Sequence, residues 1–490
     1  MSARLRPFAC WLASGALVFA VAHCSNDGST ETGSGGSGGS AGSGASGGNA
    51  GSGGASASGG NAGSGATGGA TGGGGSGGTT GGAGLGGQGG SGTAGKGGTG
   101  GAGAGGSGGT GGASGAGAGG SGGTGASKDG GGSDVTTSDA TVDATSPGTT
   151  YVYTSGYDPK ITIFALDRAT GVLTSKGSLD TGVSSPSYLA FSPDKRFLYA
   201  ANEASGANSK VLAYRINAAD GALQKINEAT TGGDGSPHLA VTPDGKWVVV
   251  AHYTSGHVST LAVDANGGVT MPPADVQRPA NSTSHQAVID ATGAFVFVPN
   301  VNANTVFQYR FDTATGKLTA NGSVSGYPSG AGPRHMAFHP SKSFAYTMNE
   351  TAITVTSLVY DPAAGTLSNP QTIDSLPAGA AKTGTGAHVL VHPAGRFVYT
   401  SNRVHNSISY FEIDQTTGRL TMRGNETGGG AIKTPRDFGI DPAGQFLFVA
   451  NQAGPNVMVF AIDPSDGKLT LRDTKTTPAG PSFVAALVLP

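Results

Sequence analysis

The aromatic residues Phe197, Trp247, Phe295, Phe344, Phe397 and Phe446 recur at intervals of 50, 48, 49, 53 and 49, and each opens a short apolar strand. Before each lies another apolar strand and a turn such as P-D-G-K or P-A-G-R, as in PHLAVTPDGKWVVVAHY and AHVLVHPAGRFVYTSNR. A second unit alternates with this hairpin. It is an apolar strand running into a D-x-x-x-G-x-L turn, present in seven copies: FALDRATGVLT, YRINAADGALQ, LAVDANGGVT, YRFDTATGKLT, LVYDPAAGTLS, FEIDQTTGRLT and FAIDPSDGKLT. Four short strands per period of about 49 residues match a propeller blade, and no stretch sustains a helical period. The expected fold is all-β, a seven-bladed β-propeller of four-stranded antiparallel blades. Six hairpins are complete, and the missing partner of the opening TTYVYTSGY is the C-terminal PSFVAALVLP. The last strand should therefore pair into the first blade beside Tyr151, closing the ring and protecting the sheet edges. A pair of β-sandwiches would give no reason for seven like units.

Composition sets the boundaries of that ring. Most of the 91 glycines precede Gly148, and nearly all the aromatics follow it. Residues 149–490 are the expected propeller, long enough for one large core. Residues 24–148 are rich in Gly, Ser, Ala and Thr and cannot bury enough apolar surface to offset their ordering entropy, so a disordered linker is expected. Its GxGxxG matches, as in SGTAGKGGTG, follow no strand and carry no nucleotide-binding weight. Residues 1–23 read as a signal peptide, with Arg4 and Arg6 ahead of a short apolar run. The run ends in VAHC, a lipoprotein-type cleavage box with His23 where a small residue is usual, and Cys24 would be the lipid anchor. Cys10 falls inside the signal, so lipidation would consume the only mature thiol. The expected location is exported, anchored to a bacterial membrane and facing the periplasm or cell surface. A net charge of −2 without a basic run gives no reason to expect nucleic acid. Membrane contact is expected only through the anchor, and a monomer is the expected state.

Comparing the blades with each other separates scaffold from candidate chemistry. The alternating apolar positions and turn residues are alike throughout. Two places are not. The first two residues of the inner strand are Ser187-Tyr188, Pro237-His238, His285-Gln286, Arg334-His335, Ala387-His388 and Arg436-Asp437. The second strand ends in Asn202-Glu203, His252-Tyr253, Asn300-Val301, Asn349-Glu350, Asn402-Arg403 and Asn451-Gln452. Hairpin geometry makes these two ends neighbours, at one mouth of the central channel. The recurring Asn is expected to bond the connecting backbone. His339, just before the turn, sits at the opposite end and is expected to be structural. Arginines, histidines and Glu350 gathered at one mouth suit an anion-binding pocket holding acid/base groups.

The motifs GPRHMAFHP with NE, SNRVHNSIS, PRDFGIDPAG with FVANQ, and HQAVID resemble the lactonase-type seven-bladed propellers. That group includes bacterial 6-phosphogluconolactonase and fungal carboxy-cis,cis-muconate cyclase. The resemblance covers 149–490 and implies a lactone hydrolase of carbohydrate metabolism. By motif it places catalytic roles on His285, Arg334, Glu350 and Arg403, with His335, His388, Arg436 and Asp437 as secondary, substrate-binding residues. GAHVLVHP lacks the acidic residue expected before the family's histidine, and VPNVNANTV replaces a more acidic loop. The implied partner is a small lactone or acidic sugar derivative. No cofactor is expected, and no metal, since no metal-ligand spacing stands out. The rival readings are a non-catalytic surface propeller binding glycan or protein, and a muconate-type cycloisomerase.

Overall fold

The computed structural model describes residues 148–206, 209–478 and 480–490. The expected signal 1–23, the anchor Cys24 and the Gly-rich segment up to residue 147 lie outside the described residues. The described strands form seven four-stranded sheets. Six are built from consecutive strands. In the seventh, Pro481–Leu489 lies innermost, followed outward by Thr149–Gly156, Lys160–Leu166 and Leu173–Asp180. The closing pair is antiparallel, in register from Thr149 opposite Leu489 to Gly156 opposite Pro481. With this sheet as blade 1, the inner strands of blades 2 to 7 are Pro186–Phe191, His238–Val241, Val288–Ile289, Pro333–Phe338, Gly386–Val391 and Pro435–Ile440. The ring closes as the sequence pattern required.

Blades stacked face to face cover both sides of their inner strands, so those strands read as continuous apolar runs. Pro186–Phe191 and Phe197–Asn202 are buried at every position, whereas Leu173–Asp180, at a blade's outer edge, is mostly exposed.

The two repeated marks in the sequence prove to be one contact. The glycine of each D-x-x-x-G turn has φ between 66° and 84°, where L side chains are strained. A Cβ there would also strike the strand-opening aromatic of the preceding blade. A Cβ on Gly267 would fall 2.3 Å from the Phe197 ring, one on Gly316 2.2 Å from Trp247 and one on Gly365 2.0 Å from Phe295. Gly221 faces Tyr151, and Gly171 of blade 1 faces Phe446 of blade 7, which carries the latch across the closure. Each blade is sewn to the one before it, and seven copies complete the circle.

Candidate active site

At the channel mouth the inner strands depart from simple alternation. Pairing steps from Pro333–Asn349 to His335–Met348, from Pro435–Asn451 to Asp437–Ala450, and from Pro186–Asn202 to Tyr188–Ala201. Arg334, Arg436 and Ser187 are the extra residues of these bulges. A bulge re-aims side chains that would otherwise alternate between faces. Arg334 and His335, consecutive in sequence, thus both join the charged cluster at the mouth.

The upper tier of that cluster comes from the residues after the recurring Asn. Their backbone N–H groups are bound alike: Glu203 to Ser185, Tyr253 to Gly235, Glu350 to Gly332 and Arg403 to Thr385, at 2.7 to 2.9 Å. Only the side chains differ. The Glu350 carboxylate takes a short ion pair from Arg403 Nη2, and its other oxygen lies 3.8 Å from Arg334 Nε. Arg334 sits lower than a rim residue would: it is 1% exposed, and its Nη1 donates to the Ala387 carbonyl at 2.6 Å. Burial, and next to it Arg403, lower its pKa to about 9 against the pull of Glu350, which leaves a cation at neutral pH. Arg436 lies 3.3 Å from Glu203, a pair that reaches over blade 1, and its guanidinium stacks 5.5 Å from the Tyr157 ring. Burial works against the Arg436 cation, but Tyr157, Glu203 and Glu350 outweigh it and hold its pKa above the ordinary value. All three expected arginines therefore already face carboxylates.

A lower tier of histidines lies beneath. His335 Nε2 is 3.1 Å from His285 Nδ1, and His335 Nδ1 is 2.6 Å from His388 Nδ1. His388 Nδ1 is 3.7 Å from Asp437 Oδ2, while Asp437 Oδ1 accepts from the Val484 N–H at 3.4 Å. Burial lowers His238, His285 and His335 well below the ordinary 6.5 and takes His388 to about 3, with Arg334 adding to each shift. Burial likewise raises the Asp437 carboxyl well above its usual range. The donor atoms of His335, His388 and Asp437 lie within 4.8 Å of one another, a spacing a cation could use. The two imidazoles are turned on each other at hydrogen-bond distance, and the Arg334 cation acts on both. The same contacts also allow a hydrogen-bonded chain.

The structure brings all eight expected site residues into this one mouth. Beside them stand Glu203, Tyr253 and His238, which the blade comparison also placed at the mouth without a role, and Tyr157, which it did not. Glu203 follows Asn202 as Glu350 follows Asn349, and that shared motif was the available signal. Tyr157 has the same place in blade 1, where Gly156 stands for the Asn, which hid it. Tyr253 packs its ring 5.4 Å from His285. His238 stacks 3.9 Å from Tyr188, and neither ring nitrogen has a partner among the described residues. The recurring Asn does bond connecting backbone at Asn202, Asn300, Asn402 and Asn451. Asn349 differs, donating to the Thr354 and Thr356 hydroxyls at 2.9 and 2.8 Å. In blade 3 His252 takes the position and bonds Ser236 and Ser259. A recess of about 570 Å³ between blades 2 and 3 lies at the opposite end, among turn residues. Its charges pair within single turns, Arg196 with Asp194 and Lys246 with Asp244, so it gathers no chemistry across blades.

The fold is that of a lactonase-type propeller. Residues 149–486 match the family described as "Lactonase, 7-bladed beta-propeller", and the chain belongs to that family. Among individual proteins it is similar to 6-phosphogluconolactonase of Bacillus subtilis, 32% identical over 191 residues, which are 37% of this chain and 53% of that protein. It is also similar to 6-phosphogluconolactonase of Pectobacterium carotovorum, 33% identical over 143 residues, 29% of this chain and 43% of that one. The matched region thus spans about half the length of these relatives. Among solved structures, a periplasmic gluconolactonase of Pseudomonas aeruginosa superposes with a TM-score of 0.64 at 28% identity, covering 70% of this chain and all of that one. A Bacteroides fragilis protein does so with a TM-score of 0.63 at 25% identity, covering 70% and 99%.

Proposed function

We propose that the protein hydrolyses a sugar lactone at this channel mouth. The observation that carries the reading is the convergence of His285, Arg334, Glu350 and Arg403, from blades 4, 5 and 6, on one cluster. His285 is the base: it is neutral, and its Nε2 has no hydrogen-bond partner among the described residues while Nδ1 is engaged by His335. It takes a proton from the water that adds to the lactone carbonyl and returns one to the ring oxygen as the C–O bond breaks. Arg403, 15% exposed in its side chain, faces the developing oxyanion. Glu350 is committed to Arg403 and Arg334, so its part is to orient the guanidiniums, and Arg334 supplies positive field from below.

The substrate end away from the carbonyl meets Arg436, Glu203 and Tyr157. Glu203 accepts hydrogen bonds from sugar hydroxyls and repels a phosphate, and Tyr157 offers an aromatic face. This favours an unphosphorylated aldonolactone, in keeping with export of the protein through the signal and Cys24 anchor read from its N-terminus. A hydrolysis panel tests the reading, with D-glucono-1,5-lactone and its 6-phosphate offered to the wild type and to His285→Ala, Glu350→Gln and Arg403→Ala. Turnover by the wild type that survives all three substitutions would sink the site. A wild type that opens no lactone yet binds glycans would establish the surface-binding rival instead.

A further inference from the structure

We propose that His285, His335 and His388 form a buried proton relay, in which His335 fixes the base-competent tautomer of His285 and His388, beside Asp437, takes up the positive charge when His285 accepts a proton from water. The relay rests on the lactone-hydrolase reading and says which residues make its base work.

The geometry sets the terms. Two N···N contacts, of 3.1 and 2.6 Å, join three rings that burial keeps neutral. A neutral imidazole has one N–H, so the middle ring can donate in only one direction. That leaves two arrangements. In the first, His285 Nδ1–H donates to His335 Nε2, His335 Nδ1–H donates to His388 Nδ1, and His388 keeps its proton on Nε2. In the second, every bond is reversed. Only the first leaves His285 Nε2 with a bare lone pair, and that nitrogen is the one turned away from the chain.

Proton transfer then runs as a balanced shuttle. His285 Nε2 takes a proton from water as the hydroxide oxygen bonds to the lactone carbon and the carbonyl electron pair moves onto oxygen. The Nδ1 proton of His285 passes to His335 Nε2, and the Nδ1 proton of His335 passes to His388 Nδ1. His285 and His335 end neutral, and His388 becomes an imidazolium. When the ring C–O bond breaks, His285 Nε2 gives its proton to the leaving alkoxide and the chain runs back. No net proton is stored after turnover.

Charge decides the direction. His285 feels Arg334, Arg436 and Arg403, all of which disfavour an imidazolium there. His388 feels Arg334 alone among the arginines, and Asp437 Oδ2, on a carboxyl that burial biases toward its neutral form, stands 3.7 Å from its Nδ1. The relay moves the positive charge from a ring that three guanidiniums disfavour to one that only Arg334 disfavours, 3.7 Å from Asp437 Oδ2.

The test reads tautomers and kinetics on the full chain. In the ¹⁵N-labelled wild type, long-range ¹H–¹⁵N spectra should show His285 protonated on Nδ1, without substrate present. Asp437→Asn, nearly isosteric, should lower kcat by roughly 10- to 100-fold while leaving KM within threefold. His335→Phe should lower kcat further and remove the Nδ1–H preference of His285. Should that variant fail to fold, Asp437→Asn and the wild-type spectra decide alone. An Nε2–H tautomer for His285 in the wild type, or a kcat within twofold of wild type in Asp437→Asn, overturns the relay. So does stoichiometric zinc retained by the full chain and lost in His388→Ala, since a cation would then stand where the shared proton is placed. A wild type that opens no lactone removes the reading beneath the relay, and the substrate-free tautomer tells that failure from failure of the relay itself.

Discussion

The two ends of the inner strands carry equally varied residues and do opposite things with them. At the turn end, one position holds Ser192, Thr242, Asp290, His339, His392 and Asp441 in blades 2 to 7. Every one of these binds its own turn. Ser192 Oγ and Thr242 Oγ1 accept from the N–H of the strand-opening aromatic at 2.9 and 3.1 Å, and Asp290 and Asp441 do the same. His339 Nδ1 accepts from Ser341 N while its Nε2 donates to the Gly395 carbonyl at 2.8 Å, and His392 repeats this with Ala394 and Gly444. At the mouth, the side chains leave their own backbone and meet side chains of other blades, as Glu350 meets Arg403 and His335 meets His285 and His388. Variation between repeats therefore marks function only where the varied side chain has no local backbone to serve. The histidines show this most plainly: backbone groups settle the tautomers of His339 and His392, while those at the mouth settle one another's.

The largest test of this contrast exchanges the two roles. His285→Ala should lower lactone turnover by roughly 10²- to 10⁴-fold, the ordinary range for a general base, with little change in melting temperature. Comparable loss of turnover in His339→Ala, at unchanged stability, would break the comparison.

Acid gives the next effect. The mouth rings His238, His285, His335 and His388, with His252, all titrate below the ordinary 6.5 when folded, because burial disfavours the imidazolium. Between pH 6.5 and the folded values the unfolded chain binds more protons, so stability is highest above about pH 6.5 and falls on acidification. Each ring contributes about 1.4 kcal/mol per pH unit in that window. Asp437, raised by burial, contributes with the opposite sign. A melting temperature that stays flat from pH 7 to pH 5 would show that these rings are not held neutral.

At the turn end, His339→Ala leaves the Ser341 N–H without its partner and the Gly395 carbonyl with Gln415 Nε2 alone. A loss of about 1 to 3 kcal/mol is expected, with kcat unchanged, and chemical denaturation measures it.

How far all this was legible in the sequence follows from which contacts are periodic. The strand-opening aromatics and the turn glycines repeat every blade, so the ring, its closure and the gathering of Glu350 and Arg403 at one mouth could be read from spacing, but not that the two would pair. The bulge at Arg334 has no such mark: one residue inserted at a strand's first step looks like alternation that has not yet begun. Nor could spacing show that Arg334 would be buried, or that Arg436 would reach across blade 1 to Glu203, 233 residues away. That pair depends on ring closure, which sets the inner strands of blades 7 and 2 on either side of Pro481–Leu489.

The smallest prediction asks whether the Arg436–Glu203 pair touches substrate or only the rim. Its side chains are 13% and 22% exposed, so removing one partner leaves the other charge largely buried and less compensated. Glu203→Gln frees the guanidinium and removes the nearest negative charge, which should help a phosphorylated tail and do little for a neutral one. The expected result is a rise of about two- to fivefold in the ratio of kcat/KM for the 6-phosphate over that for the unphosphorylated lactone. High salt should shrink the rise, since screening weakens what Glu203 does to a phosphate. An unchanged ratio would assign the pair to the rim and confine substrate recognition to blades 4 to 6. A changed one would extend the functional mouth to blades 1, 2 and 7, leaving the turn end as the only purely structural end of the channel.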